Sequence, residues 1–172
     1  MPLSLRSKIF VIMIQRIQSV YLALVAIAST LMLIPFEKMP LADFYGETIS
    51  FHFHSLYIEN LIPGETSPFS MYFTWPLVAA LVLITFFALI SIFLYKNRAK
   101  QMLWIKINIF ISIILLGGFF FGYINTLEGK LGVQAIYHMN SFLPALILLF
   151  LVLAFRSVKK DEKFVKSMDR LR

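Results

Sequence analysis

The most constraining feature of this chain is a set of four long windows that contain no Asp, Glu, Lys or Arg. They are Ile17–Phe36, Thr66–Tyr95, Ile107–Leu127 and Leu131–Phe155, and they contain 20, 30, 21 and 25 residues. An α-helix rises about 1.5 Å per residue, so roughly 20 apolar residues cross a hydrocarbon core of about 30 Å. The windows therefore predict an all-α integral membrane protein. It would be a single membrane domain over residues 1–172, with four transmembrane helices at about 17–36, 74–95, 103–124 and 139–155.

The 25 charged residues, 16 basic and 9 acidic, divide unevenly among the segments that flank these windows. The net charge is +3 for residues 1–16, −4 for 37–71, +4 for 96–106, zero for the connection that holds Glu128 and Lys130, and +4 for the tail 156–172. Positive charge collects on the cytoplasmic side of membrane proteins. The pattern predicts a multi-pass protein of the bacterial inner (cytoplasmic) membrane, with both termini in the cytoplasm. Because the overall charge of +7 is segmental, it does not indicate a nucleic-acid partner.

Residues 37–71 form the one sizeable segment on the predicted outer side. Leu41–Tyr45 is a short apolar run, and Thr48–Tyr57 alternates between apolar and polar residues as half-buried strands do. Tyr45-Gly46-Glu47 between the two runs is typical of a turn. We therefore expect a small β-hairpin on the outer membrane face, between the first and second helices.

This hairpin would carry His52 and His54 on one strand face, about 7 Å apart. Two histidines at that spacing can bind a metal, but the chain has no cysteine and the nearby acids are scattered. We expect a pair of solvent-facing histidines and no metal site. His138 is expected at the membrane interface.

The interior of the windows offers few polar groups for chemistry. Ion-coupled transporters and proton relays normally place ionisable side chains there, and Ser or Thr hydroxyls can simply bond to the backbone of the preceding helical turn. Asn108 lies within about one turn of the inner interface, where it is either hydrated or bonded to a neighbouring helix for about 1 kcal/mol. No phosphate loop, catalytic triad or metalloprotease motif occurs. The sequence thus predicts no enzyme, no catalytic residue and no cofactor. The polar groups in question are Ser29, Thr30, Thr85, Ser91, Asn108 and Ser112.

Three glycines of the third predicted helix, Gly117, Gly118 and Gly122, indicate a helix-packing face. Small residues four apart let another helix backbone approach closely. The contact would be with another helix of the same chain, which we favour because the helices must pack together anyway. The alternative is a homo-oligomer or a partner subunit.

The tail after Arg156 is basic and carries an apolar stripe, Phe164, Val165, Met168 and Leu171. It therefore predicts a short basic amphipathic helix on the membrane surface, with a solvated continuation of the fourth helix as the equal alternative. Anionic lipid or a protein would bind its basic residues. The predicted contact residues are Lys159, Lys160, Lys163, Lys166, Arg170 and Arg172.

The two ends of the chain also suggest a family. Met13-Ile-Gln-Arg-Ile-Gln-Ser-Val-Tyr-Leu, the four-helix layout and the ending Lys-Ser-Met-Asp-Arg-Leu-Arg together resemble a domain-of-unknown-function family of small inner-membrane proteins of Bacteroidetes. The resemblance covers Met13 to Arg172 and implies no activity, cofactor or catalytic residue. It agrees with Met13 as the start of translation, whereas the alternative is that residues 1–12 form an interfacial helix.

Two functions from different classes remain open. The first is a non-enzymatic accessory or scaffold subunit of a membrane assembly, with the lipid bilayer and a membrane or cytoplasmic protein as partners. The second is a protein that binds or transports a small solute or lipid in a cleft closed by the outer segment. The second requires a cavity with converging polar groups, which the sequence does not reveal.

Overall fold

Four long helices and one small β-sheet make up the part of the chain that the computed structural model describes, residues 3–34, 40–44, 49–58 and 72–169. A π-helical segment, Gly118–Ile124, joins the helix Arg98–Gly117 to the helix Asn125–Leu131, so that residues 98–131 form one continuous helix. The elements in chain order are α1 (Leu3–Leu33), β1 (Ala42–Phe44), β2 (Ile49–Phe51), β3 (Leu56–Ile58), α2 (Trp75–Phe93), α3 (Arg98–Gly117), α4 (Asn125–Leu131), β4 (Ile136–Tyr137) and α5 (Leu143–Asp169).

Three helices are long and apolar enough to cross a membrane: Trp75–Phe93, Arg98–Leu131 and Met139–Val165. In their most apolar stretches only 28%, 28% and 33% of the residues are buried inside the protein. Most of these apolar residues therefore face outward, as they do in a lipid bilayer. The prediction of a largely helical membrane protein is confirmed at this level. The described apolar part of α1, Ile17–Leu33, is shorter.

Two boundaries of the third predicted helix differ from the expected 103–124. The helix begins at Arg98, because the Asn97 side chain caps it by accepting a hydrogen bond from the Lys100 amide at 3.2 Å. It ends only at Leu131, where Gly132 adopts the left-handed conformation with φ 70° and its amide donates to the Glu128 carbonyl at 2.8 Å. Glu128 and Lys130, which were predicted in the connection between the third and fourth helices, lie within α4.

The long helices contact one another in a ring, α1 with α2 and α5, and α3 with α2 and α5. Two side-chain bonds show that α2 and α3 are antiparallel: Gln101 donates to the Ser91 carbonyl at 3.0 Å, and Asn108 donates to the Ile84 carbonyl at 3.1 Å. The centre of the ring is mostly apolar. Fully buried residues there include Leu22, Leu81, Ile84, Ile105, Leu115, Ile147 and Leu151.

The sheet covers one end of this ring, which we call the sheet end. Its four strands are antiparallel in the order β3-β2-β1-β4. β1 and β2 pair with Ala42 opposite Phe51, as the predicted hairpin requires, whereas its predicted turn, Tyr45-Gly46-Glu47, lies outside the described residues. The run Thr48–Tyr57 is not one strand, however, because the His52 amide donates to the Ser55 carbonyl at 2.9 Å and closes a turn between β2 and β3. The pairing of β4 with β1 was not predicted.

Aromatic side chains connect the sheet to the π-helical segment. The Phe51 ring is stacked on Phe119 and on Tyr123, with ring centroids 5.9 and 6.1 Å apart, and Phe53 lies 5.3 Å from Phe119. Phe51 and Phe119 are both fully buried. Burial of such rings is among the larger stabilising contributions in a protein core, so the sheet is an integral part of the fold.

Candidate functional site

The opposite end of the ring, which we call the tail end, is organised around one buried acid, Asp161 of α5. Gln18 of α1 donates a side-chain hydrogen bond to the Asp161 carboxylate. Arg98 of α3 donates to the Asp161 backbone carbonyl at 2.9 Å. Gln18 and Asp161 are each only 3% exposed. We call these three residues the tail clamp, since they join the tail to two other helices.

The clamp determines the conformation of the predicted tail. α5 continues without a break from Leu143 through Arg156 to Asp169, so this part of the tail is the continuation of the fourth helix and not a separate amphipathic helix. The inward residues are Val158 and Asp161, whereas Phe164, which belongs to the predicted apolar stripe, is 39% exposed. An outward-facing Phe164 is compatible with the predicted stripe, which would meet a membrane surface or a partner, and the side chain of Met168 and all of Leu171 lie outside the described residues.

The basic residues predicted to contact a partner lie outside the clamp. Lys159, Lys160 and Lys163 are exposed on α5. The side chain of Lys166, and all of Arg170 and Arg172, lie outside the described residues. The described lysines thus form an exposed basic surface on a helix whose direction the clamp fixes. Asp161 was not predicted as a site residue, although its spacing gives a signal. Alternate steps of four and three residues place it on one buried helix face with Ile147, Leu151, Ala154 and Val158.

A row of polar side chains continues from the tail end into the ring. Gln101, Asn108 and Ser112 of α3 are at most 1% exposed. Asn108 is buried and its amide bonds to a neighbouring helix, which is the second of the two predicted alternatives. Three side-chain oxygens of this row have no hydrogen-bond partner among the described residues. They are Gln101 Oε1, Asn108 Oδ1 and Ser112 Oγ. Buried oxygens of this kind commonly bind ordered water.

The hydroxyls elsewhere in the ring follow the expectation only in part. The hydroxyls of Ser29 and Thr85 each lie within hydrogen-bond distance of a carbonyl of their own helix, Val25 at 2.8 Å and Leu81 at 2.9 Å. They also lie 2.7 Å from each other, which links α1 to α2. Because each hydroxyl has one hydrogen, one of them donates to its carbonyl while the other donates across to it. The backbone bonds were predicted, whereas the link between the helices was not.

Titratable groups at the sheet end form a second polar cluster. The His138 imidazole Nε2 lies 2.6 Å from Oδ2 of Asp43, which is buried on β1, and the His138 amide donates to the Leu41 carbonyl at 3.0 Å. Ser141 also donates its hydroxyl to that carbonyl. The cluster fastens the start of α5 to β1. Asp43 and His138 form an acid–imidazole pair, but the Ser141 hydroxyl beside them donates to the Leu41 backbone carbonyl.

The histidine pair lies in the turn after β2 and not on a strand face. The rings of His52 and His54 are 5.4 Å apart, and His52 is buried. Burial lowers the pKa of His54 below its usual range, so its imidazole is neutral at pH 7. No group of three potential metal ligands occurs within residues 3–34, 40–44, 49–58 and 72–169.

The predicted glycine face does not mediate a contact within the described chain. A Cβ added at Gly117, Gly118 or Gly122 would meet no atom of a neighbouring element within 4 Å. The inward residues of this segment are instead Phe119 and Ile124. The favoured prediction of close packing inside the chain is therefore not supported, and contact with another chain stays a prediction.

Comparison with known proteins identifies a family and no characterised relative. The family described as domain of unknown function (DUF4293) matches residues 14–171. This confirms the resemblance to a domain-of-unknown-function family that the chain ends suggest. No curated protein and no solved structure matches the chain.

Proposed function

The chain belongs to the DUF4293 family, and we propose that it is a non-enzymatic accessory or scaffold subunit of an inner-membrane assembly. α1, α2, α3 and α5 each cross the membrane, and both termini lie in the cytoplasm. The surface that meets a protein partner is the exposed basic face of α5 at the tail end.

Packing supports α1 as the fourth span. α1 contacts both α2 and α5, and the Ser29–Thr85 bond lies within the contact with α2. Helices α2 and α5 contain stretches apolar enough to cross a bilayer. A segment packed alongside them is surrounded by hydrocarbon, where only helices satisfy all of their backbone groups. Its 17 described apolar residues are close to the required length.

The distribution of charge supports the orientation. Exposed lysines at the tail end include Lys100, Lys159 and Lys160. The sheet end instead carries Asp43, within a segment whose net charge is −4. Positive charge marks the cytoplasmic side, so the tail end lies inside and the sheet outside.

The observation that carries the functional proposal is the tail clamp. A flexible basic segment is enough for attraction to anionic lipid, at about 1 kcal/mol per residue. Here, two other helices are bonded to Asp161 and fix the direction of the helix that presents Lys159, Lys160 and Lys163. A preorganised surface loses less entropy on binding. Such a surface suits a cytoplasmic protein with an acidic face.

Reversing the charge of this surface tests the function. In the full chain, the triple variant Lys159→Glu, Lys160→Glu and Lys163→Glu should lose the proteins that co-purify in mild detergent, as identified by mass spectrometry. The matched control replaces the same residues with Arg and keeps both charge and partners. Co-purification that survives the charge reversal would contradict the proposal. Loss of partners in both variants would equally contradict recognition by charge.

The orientation is tested separately, using the absence of cysteine from the chain. A single cysteine introduced as Tyr137→Cys should react with a membrane-impermeant maleimide in spheroplasts, because Tyr137 is 47% exposed at the sheet end. One introduced as Lys100→Cys should react only after lysis. The opposite pattern would invert the topology.

A further inference from the structure

A cavity of about 330 Å³ lies at the sheet end, between the end of α1, the start of α5 and the turn that joins β2 to β3. Ligand sites in proteins typically have volumes of about 300–1,000 Å³. The cavity therefore has the size of a small binding site. It is separate from the tail clamp and from the basic surface of α5, which lie at the other end of the ring.

The lining of the cavity is amphipathic. Its apolar wall is formed by Leu31, Met32, Ile34, Leu41, Phe53 and Leu143. The polar groups are His52, His54 and Asn140. This arrangement provides the converging polar groups that a lipid-binding function requires and that the sequence did not reveal. A ligand that fits both parts has an apolar body and a hydrogen-bonding head.

The position of the cavity points to a ligand that comes from the membrane. Leu31 and Ile34 line it and are also 48% and 42% exposed on the surface of α1. Apolar surface of this kind on a membrane helix faces lipid. With α1 as the fourth span proposed above, on which this step rests, the cavity adjoins the hydrocarbon region, and a lipid chain can reach it without crossing water.

The polar groups select the headgroup. His54 is neutral at pH 7, and a neutral imidazole offers one N–H donor and one acceptor. The Asn140 amide donates to the Pro40 carbonyl at 3.3 Å and carries a second N–H. Among the described residues, the lining contains no Lys or Arg, which are the usual partners of phosphate. An uncharged donor set favours an uncharged head, which is a carbonyl, a hydroxyl or a protonated carboxyl group, over a phosphate head.

The size of the cavity selects a single chain. Its volume equals that of about eleven water molecules at roughly 30 Å³ each. A methylene group is close to a water molecule in size, so one alkyl chain of moderate length fills the space. The two chains of an ordinary phospholipid do not fit.

We propose that this cavity binds a single-chain amphiphile of the bilayer, such as a fatty acid. Its alkyl chain lies against Leu31, Met32 and Leu143, and its carbonyl or carboxyl oxygen accepts hydrogen bonds from His54 and Asn140.

Photo-crosslinking of the purified full chain in detergent tests the site. The probes are a diazirine-bearing dodecanoic acid, whose chain matches the volume of the cavity, and a two-chain phosphatidylcholine that carries the same diazirine. We expect the fatty acid to label peptides containing residues 31–34 and 140–143 preferentially, and the phospholipid not to do so. Leu143→Trp, which fills the cavity, should weaken labelling by the fatty acid roughly tenfold. The matched control is Leu149→Trp on the outward face of the same helix, where Leu149 is 52% exposed.

Several outcomes would overturn the proposal. They are fatty-acid labelling spread evenly over the lipid-facing surfaces, equal labelling by the phospholipid at this site, or labelling that Leu143→Trp leaves unchanged. If Leu143→Trp unfolds the chain, His54→Phe provides the second variant, because it removes the donor and keeps an aromatic ring; unchanged labelling would then contradict the site. The measurement requires neither a protein partner nor a defined orientation, so its result is independent of the function proposed for the tail.

Discussion

The two ends of the helix ring are held together in different ways. At the sheet end, Phe51, Phe119 and Tyr123 bury large aromatic surfaces against one another. At the tail end, a single carboxylate and its backbone carbonyl receive bonds from Gln18 and Arg98. Aromatic burial is strong but tolerant of small shifts, whereas hydrogen bonds depend on distance and direction. We therefore expect the sheet end to contribute more of the free energy of folding. The tail end determines more closely the direction of α5.

The largest expected effect is at the sheet end. Phe51→Ala should reduce the free energy of unfolding by about 3–5 kcal/mol, because it removes a fully buried ring and leaves a cavity between β2 and the π-helical segment. Thermal or denaturant unfolding in detergent measures the loss. The control is Phe121→Ala in the same segment, where the ring is 78% exposed and the cost should stay within about 0.5 kcal/mol. Equal effects of the two substitutions would contradict the integral role of the sheet.

At the tail end we expect a smaller loss in the free energy of unfolding and a larger local increase in hydrogen exchange. Asp161→Ala should cost about 1.5–3 kcal/mol, since a hydrogen bond to a charged group is lost and Gln18 is left buried without it. The rate of amide hydrogen exchange, measured by mass spectrometry, should rise more in residues 156–169 than in α2. Asp161→Asn keeps a side-chain oxygen and should be intermediate. Lys159→Ala, at an exposed position, is the control and should leave exchange unchanged.

The outcome for Asp161 sharpens the comparison between the ends. If Asp161→Ala lowers the melting temperature as much as Phe51→Ala does, the clamp is a main source of stability and the division between the ends fails. If exchange in the tail does not change, α5 is held by Val158 and its neighbours and by the Arg98 bond to the Asp161 backbone carbonyl, which Asp161→Ala keeps. The rigid basic surface would then not depend on the bond between Gln18 and the Asp161 carboxylate.

Features of the fold that depend on local composition could be predicted from the sequence. Apolar windows indicated helices, and alternation around Gly46 indicated the β1–β2 hairpin, because helix formation and short turns are set by neighbouring residues. The β4–β1 pairing joins residues far apart, and only two residues of β4 take part. No local pattern marks so short a strand.

The site was harder to predict because exposure depends on tertiary packing. Asp161 lies within a basic tail, where counting charges treats it as one of three acids. Its heptad-like spacing from Val158 and Leu151 would have placed it on the buried face of α5. The spacing of the glycines permits a close contact but does not determine with which chain. Within the described residues Phe119 and Ile124 are the inward residues of this segment, and contact of the glycine face with another chain stays a prediction.

The pairing of β4 with β1 bears on the order in which the molecule is assembled. His138 follows β4 in sequence and bonds to Asp43, 95 residues earlier in the chain. Synthesis proceeds from the N-terminus, so β1 is made long before the strand that covers its second edge. Until then, the amide and carbonyl groups of that edge are available to any other strand. The loop that carries β4 therefore closes this edge of the sheet. A nascent chain that is halted before this loop exposes an unpaired edge of β1 at the sheet end, to which other strands can bind.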